Sequence, residues 1–567
     1  MLWGVLMFVG FESAGTLGEE TQSAKRNIPI ALFTAVIVIG AYYVLAGYVA
    51  VVGYGIGNTA AFQADGAPWS TLAGNFWGSG LQWVIEITVL NSIFANLLSG
   101  CTAGPDYQRP AVLDGNTLPA AFTGAAAGTN AGEWKTAQPS AHLSRGAWWE
   151  SFGDAELNRL VALAATNNQD LAGALARFEQ ARALVTVARA DFFPHISAAP
   201  GYARQRSSAN QFERGHLAGA GYNYDNFSVP LDATWEADLW SRVRRQVEAA
   251  RARLTAAAAD VEALKLTVEA EVIVDYFALQ ALRAEHGLLQ QTVGAYRRSL
   301  ELTRNRRAGG IVSDLDVAQA ETQLKAAEAQ LPAVDLQRTQ VRHALARLCG
   351  QSATGFEITA QTGLPANVKI PASLPSELLE RRPDIAAAER RMAAANAEIG
   401  VAQTAFYPRL VFKGLAGFQS IDAGTLFDWP SRFWAIGPTL ELPLFTGGRN
   451  RARLAAARAG YDAAVAGYRQ TVLTAFQEVE DQLAAQTLLA AQLDAQLAAL
   501  AAARRTLEIA DNRYQSGLVT YLEVATAQSA ALSLERVVVR LQAERLAASG
   551  ALAKALGGGW PTVGKAD

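Results

Sequence analysis

The side chains in this chain that could do chemistry gather at two short turns. Gly310-Ile311-Val312-Ser313 is followed by Asp316, and Gly517-Leu518-Val519-Thr520 is preceded by Tyr514 and followed by Glu523. Glycine tolerates a positive φ at a helix end, and a following Ser or Thr hydroxyl can cap the next helix. The chemistry available here is hydrogen bonding and fixed charge, not bond making. No nucleophile–base set, phosphate loop or metal spacing stands elsewhere, so no enzyme activity, cofactor or metal is expected. Gly309-Gly310 and Gly447-Gly448 lack the Lys-Ser/Thr of a nucleotide loop, and Gly557-Gly558-Gly559 reads as the opening of a flexible tail. Two cysteines, Cys101 and Cys349, make neither a disulfide framework nor a zinc site, and the five histidines are scattered. A net charge of −3 points away from a nucleic-acid partner.

The turns belong to a longer duplicated text. Arg298 to Ala320 (RSLELTRNRRAGGIVSDLDVAQA) aligns without a gap to Arg505 to Ala527 (RTLEIADNRYQSGLVTYLEVATA), at an offset of 207 residues. Each copy reads as a hairpin tip between two antiparallel helices. From Arg242 to Arg306 there is no proline, and one helix of that length would reach ~97 Å at ~1.5 Å per residue. Val243, Val247, Ala250, Leu254, Ala257, Val261, Leu264 and Val268 alternate steps of four and three, the seam of a coiled coil. A helix returns from Asp314 to Cys349, with Pro332 expected to kink or interrupt it. The second half repeats the programme, with a long helix from Asn450 to about Tyr514 and a last one from Tyr521 to Leu556.

Each long pair follows a helix and a strand-like stretch. Asp154 can cap a helix running to about Phe193, where Pro194 ends it. Between His195 and Leu239 the pattern becomes apolar–polar alternation, clearest from Phe227 to Trp240 (FSVPLDATWEADLW). Leu410 to Phe418 and Phe433 to Leu444 repeat it in the second half. Alternation over such lengths suits transmembrane β-hairpins and equally a hairpin on a soluble sheet.

The start of the chain differs. Ile28 to Val52 is almost wholly apolar and long enough to span a bilayer, and Leu81 to Leu98 is a weaker candidate. Phe8 to Ile30 (FVGFESAGTLGEETQSAKRNIPI) resembles the loop before a span in the amino acid–polyamine permease family. Leu98-Ser99-Gly100-Cys101 then resembles a bacterial lipobox, which implies Cys101 as a lipidation site after signal cleavage. A signal peptide needs a basic region close before its apolar core, whereas the nearest upstream bases are Lys25 and Arg26. A junction is therefore expected near residues 96–98.

Two halves of helix, hairpin, long helix, tip and helix after Gly104 to Pro110 (GPDYQRP) resemble the TolC-type outer-membrane efflux channels, in their lipoprotein subgroup. Leu379 to Pro383 (LERRP), Pro438 to Arg449 (PTLELPLFTGGR) and Ala475 to Gln482 (AFQEVEDQ) carry the same resemblance, over about residues 98–556. It implies a mainly α fold with β strands: duplicated long-helix hairpins in an α-helical barrel, plus four strands per chain toward a trimeric 12-stranded transmembrane β-barrel. It implies a homotrimer in outer-membrane lipid. A periplasmic adaptor and an inner-membrane pump of the resistance-nodulation-division type would be its partners. By position it makes Gly310, Ile311, Val312, Ser313, Gly517, Leu518, Val519 and Thr520 the adaptor-docking tips. Asp316, Tyr514 and Glu523 become the periplasmic gate. Val519 stands where some members place a bridging arginine, and Thr526 where many place a second aspartate. An ordinary alternative for Asp316 and Glu523 is first-turn charge complementing the helix macrodipole.

The expected division is a permease-like fragment over 1–97, a lipobox and extended arm over 98–150, and a first repeat over 151–350. A linker over 351–375, a second repeat over 376–556 and a tail over 557–567 complete it. Two other classes stay open: a partial permease-like membrane protein, which has too few spans for a pathway, and a coiled-coil scaffold, which would not need the aromatic hairpins.

Overall fold

The computed structural model describes residues 102–111, 146–208, 221–359 and 381–558, with Thr71 and Pro365. Cys101, the apolar runs before it, most of the 351–375 linker and nearly all of the tail lie outside the described residues. Among the described residues no helix is long and apolar enough to cross a membrane.

The duplication is sharper in the structure than in the sequence. Helix α1 (Ala155–Asn167) and α2 (Gln169–Ala190) lead into a sheet, then α3 (Arg242–Ala308) and α4 (Asp314–Leu348). The second half has α5 (Pro383–Thr404), more sheet, then α6 (Arg449–Gln515) and α7 (Tyr521–Ala555). The long helices α3 and α6 each have 67 residues, the return helices α4 and α7 each 35, and α2 and α5 each 22. Val243, Val247, Ala250 and Val268 of the expected seam are buried, and the rest of it is half-buried.

Three expectations about breaks need correction. Asp154 caps as expected, accepting from the Glu156 and Leu157 amides, but its helix stops at Asn167. Asn168 is extended there and caps α2 by accepting from the Leu171 amide at 3.0 Å, so the single helix is two. Pro332, conversely, neither breaks nor ends α4. It forfeits one backbone bond, while Ala327 and Val334 beside it are buried against the neighbouring helices and hold the helix through the gap. The third correction concerns the stretch that opens at His195, expected as one run of alternation. It is two strands, β1 (His195–Ala198) and β2 (Gly201–Arg206), divided at Ala199-Pro200, where proline has no N–H to give the ladder.

Both short strands pair antiparallel with β3 (Asn223–Ala237), which pairs with β4 (Arg409–Ser420), which pairs with β5 (Arg432–Glu441). The sheet is thus four rows wide and joins the two halves at β3–β4. Pro230 of β3 faces Gly417 of β4, where an added Cβ would lie 2.3 Å from the Val229 carbonyl oxygen, so a side chain has no room. The outer edges, β1/β2 on one side and β5 on the other, pair with no strand among the described residues.

Apolar burial is spread along the helices as separate knots. Tyr276, Phe277, Trp148 and Phe152 form one with the end of α4, and Tyr468 with Met392 forms another. A third lies at the hairpin tips. Cys349 ends the first repeat, buried with its thiol 3.6 Å from the Leu160 carbonyl oxygen. Burial pushes that thiol up to about 11, so it stays protonated and unreactive at neutral pH.

Candidate functional site: the paired hairpin tips

The first tip forms because α3 ends on glycine. The amides of Gly309, Gly310 and Ile311 donate back to the carbonyls of Asn305, Arg307 and Arg306, and Gly310 turns the chain at φ +73°. Ser313 and Asp316 then make a capping box for α4. The Ser313 amide donates to the Asp316 carboxylate at 3.0 Å, and the Ser313 hydroxyl at 2.7 Å. Burial raises the affinity of Asp316 for a proton, but hydrogen bonds from the Ser313 hydroxyl and amide and the Tyr521 amide outweigh it. The carboxyl is held below its usual range, so what it adds to folding is fully present above the ordinary carboxylate range and is lost as pH falls from there through that lowered value.

The second tip copies the backbone and changes the side chains. Ser516, Gly517 and Leu518 donate to Asn512, Tyr514 and Arg513, with Gly517 at φ +75°. Thr520 precedes α7 in the extended conformation but its hydroxyl makes no cap bond, which corrects the expectation of a second cap. Leucine stands at the position before Glu523, as before Asp316, yet Glu523 turns to Arg513 at 3.6 Å instead of closing a box.

Where the predicted residues sit separates them into two groups. Ile311 and Leu518 are each 70% exposed, and Leu315 and Leu522 beside them are exposed too, so the tips end in an apolar cap. Val312 and Val519 are half-buried, Val519 against the tip core. Tyr514 is buried. Its ring meets Tyr521 edge-on, and its hydroxyl is 3.1 Å from the Thr303 hydroxyl. Around it pack Tyr296, Leu300, Leu324 and Val524, so the two hairpins share one core.

Two contacts here escaped the sequence reading. Arg306 reaches from the first hairpin to the Tyr514 and Gln515 carbonyls, and its guanidinium lies 4.8 Å from the Tyr514 ring centroid. The only signal for it was an arginine at the same place in both copies. Above the tips, a recess of about 400 Å³ separates the hairpins. Arg536 of α7 bridges it, donating to Glu285 of α3 at 2.6 Å and to Gln330 of α4 at 2.8 Å.

At the far end of the helices, residues 102–111 are strapped to the helical body. Arg245 donates to the Ala103 carbonyl at 3.2 Å and pairs with Asp106 at 2.7 Å. Asn396 donates to the Pro105 carbonyl, and the Tyr107 hydroxyl donates to Glu389 at 2.6 Å. The Ala103 amide donates to Trp240, where β3 has just given way to α3, so the strap begins at the level of the sheet.

Two equal helical hairpins sharing a tip core, carried far from an open-edged antiparallel sheet, define a channel of the outer-membrane efflux class. Residues 160–351 and 374–558 match the family described as outer membrane efflux protein, and the chain belongs to it. The description amino acid permease matches residues 1–116. Outer membrane protein OprJ of Pseudomonas aeruginosa is 35% identical over 472 residues, covering 82% of this chain and 95% of that protein. The toluene efflux pump outer membrane protein TtgC of Pseudomonas putida is 32% identical over 482 residues, covering 83% and 95%. Among solved structures, the outer-membrane channel OprN superposes with a TM-score of 0.71 at 31% identity, covering 81% of this chain and all of that one. The Campylobacter jejuni CmeC outer membrane channel gives 0.73 at 25% identity, covering 82% and 96%. The chain is therefore an outer-membrane channel component of an efflux system, with a long periplasmic domain, as the resemblance implied.

Proposed function

We propose that three copies assemble into a passive duct, which carries drugs or other small molecules from an inner-membrane pump and a periplasmic adaptor to the exterior. The observation that carries this is the open-edged sheet. Lipid does not tolerate unpaired strand edges, and a sheet four rows wide closes a twelve-row barrel when three copies join edge to edge. The pump is of the resistance-nodulation-division type in this reading, and the duct has no chemistry of its own. Cys101 is the lipid-bearing residue: the strap that follows it starts at the level of the sheet, where an acyl chain would enter the membrane. The strap's grip on α3 and α5 also favours a boundary near residues 96–98, with the permease-like stretch before it and two channel repeats after it.

The tips Gly310 to Ser313 and Gly517 to Thr520 receive the adaptor on their exposed apolar caps. Asp316 and Glu523, repeated threefold, place negative charge at the mouth, and Tyr514 anchors the second tip behind them. The reading is tested with purified protein from the outer-membrane fraction, cross-linked to count subunits and recorded in planar bilayers. Three-chain species are expected, and replacing both Asp316 and Glu523 with Ala should raise conductance by about twofold or more. Unchanged conductance would remove both from the gate, and recovery from the inner membrane would sink the duct. The mass of the mature N-terminus decides the Cys101 assignment.

A further inference from the structure

Arg306 and Arg513 occupy the same place in the two repeats and behave differently. Arg513 stays within its own hairpin, facing Glu523 at 3.6 Å, with both side chains about half exposed. Arg306 crosses between hairpins. One guanidinium nitrogen donates to the Tyr514 carbonyl and the other to the Gln515 carbonyl, each at 2.8 Å. The Tyr514 carbonyl also accepts from the Gly517 amide at 3.0 Å, the bond that closes the second glycine turn. Arg306 therefore grips the backbone oxygen on which the second tip turns.

The grip has a physical reason. The last carbonyls of α6 lack helical partners and carry the negative end of its dipole, and a planar fork with two donors meets two of them at once. Its acceptors are neutral and its site is partly open to water, so it is weaker than a buried ion pair and suited to reversal. Among the described residues no arginine makes the reciprocal reach. The first tip's matching carbonyl, on Arg307, accepts from the Gly310 amide, and Arg513 is turned away from it. The first hairpin thus holds the second, while the second does not hold the first in return through this pair.

We propose that Arg306 is the coupling residue that makes the two tips of a chain move together, and that its release frees the second tip alone. The gating consequence rests on the tips being the mouth of the duct; the coupling itself does not. Two readouts keep these apart. In Arg306→Gln trimers, amide hydrogen exchange over residues 512–517 should quicken at least about tenfold while residues 305–311 keep their rates, because opening is local to the second tip. Conductance should rise with it. Arg306→Lys, which keeps the charge but not the fork, should fall between. Arg513→Gln should leave exchange at residues 512–517 at the wild-type level, as its exposed pair predicts. Unaltered exchange at 512–517 in intact Arg306→Gln trimers overturns the coupling, as does an equal quickening of that exchange in Arg513→Gln. Faster exchange with unaltered conductance upholds the coupling and overturns the placement of the tips at the mouth.

Discussion

Replacing Gly310 and Gly517 together with leucine is expected to abolish drug export while trimers still form. Both glycines hold a positive φ, so each leucine adds strain of about 1–2 kcal/mol. That strain falls on exposed turns above a tip core built from three tyrosines and aliphatic side chains, which the substitutions do not touch. Nothing lies within 4 Å of a Cβ added at either position, so the new side chains stand out into the space a partner would fill. Drug resistance of cells carrying the double variant should fall to that of cells lacking the channel. Full resistance with normal trimers would remove the tips from docking. Loss of trimers would mean that the turns matter for folding and not for contact.

Gly350→Ala should behave in the opposite way, forming trimers of clearly lowered stability. Its φ of +65° looks like those of the tip glycines, but an added Cβ would lie 2.1 Å from the Asn167 carbonyl oxygen and 2.6 Å from its carbon. The obstacle is backbone, which cannot swing aside. Just there, the Asn168 side chain donates to the Leu348 carbonyl at 2.9 Å and ties the end of α4 to the α1–α2 break. Backbone strain of about 1–3 kcal/mol and overpacking of similar size should together cost roughly 2–6 kcal/mol. Gly355→Ala is the matched control, since it has a φ of +78° with nothing within 4 Å and should lose only the strain. Thermal unfolding of the purified trimers compares them. Equal melting points for the two variants would show that the Asn167 contact gives way.

These two glycines show what could be read from sequence and what could not. In the chain, Gly310, Gly517 and Gly350 are all helix-ending glycines, and the duplication marks the first two. Which of them faces open space is a matter of what the fold brings opposite, and sequence spacing carries none of it. The long helices were legible because proline-free runs end on Gly turns at the same offset. The break at Asn168 was not, although an asparagine three residues before Leu171 is an ordinary cap signal, because the residues on both sides favour helix. Pro332 failed in the other direction, a true local breaker overridden by packing on both sides. At the tips, Ser313 and Asp316 carry a capping-box spacing that the structure realises, whereas Thr520 and Glu523 carry the same spacing and do not. The link from Arg306 was hidden because its acceptors are backbone carbonyls, which no residue type advertises.

The equality of the two halves has a consequence for how such a duct could change length. Helices of 67 residues go out and helices of 35 come back in both repeats, so the two repeats match rod for rod. Adding one residue to α3 alone would rotate its seam out of contact, and adding a whole heptad there would push one tip ~10 Å past the other. Only a heptad inserted at one level in all four long helices keeps both seam and tips in register. The reach of this molecule into the periplasm is therefore not freely adjustable. It comes in steps of about 10 Å, each needing four coordinated insertions.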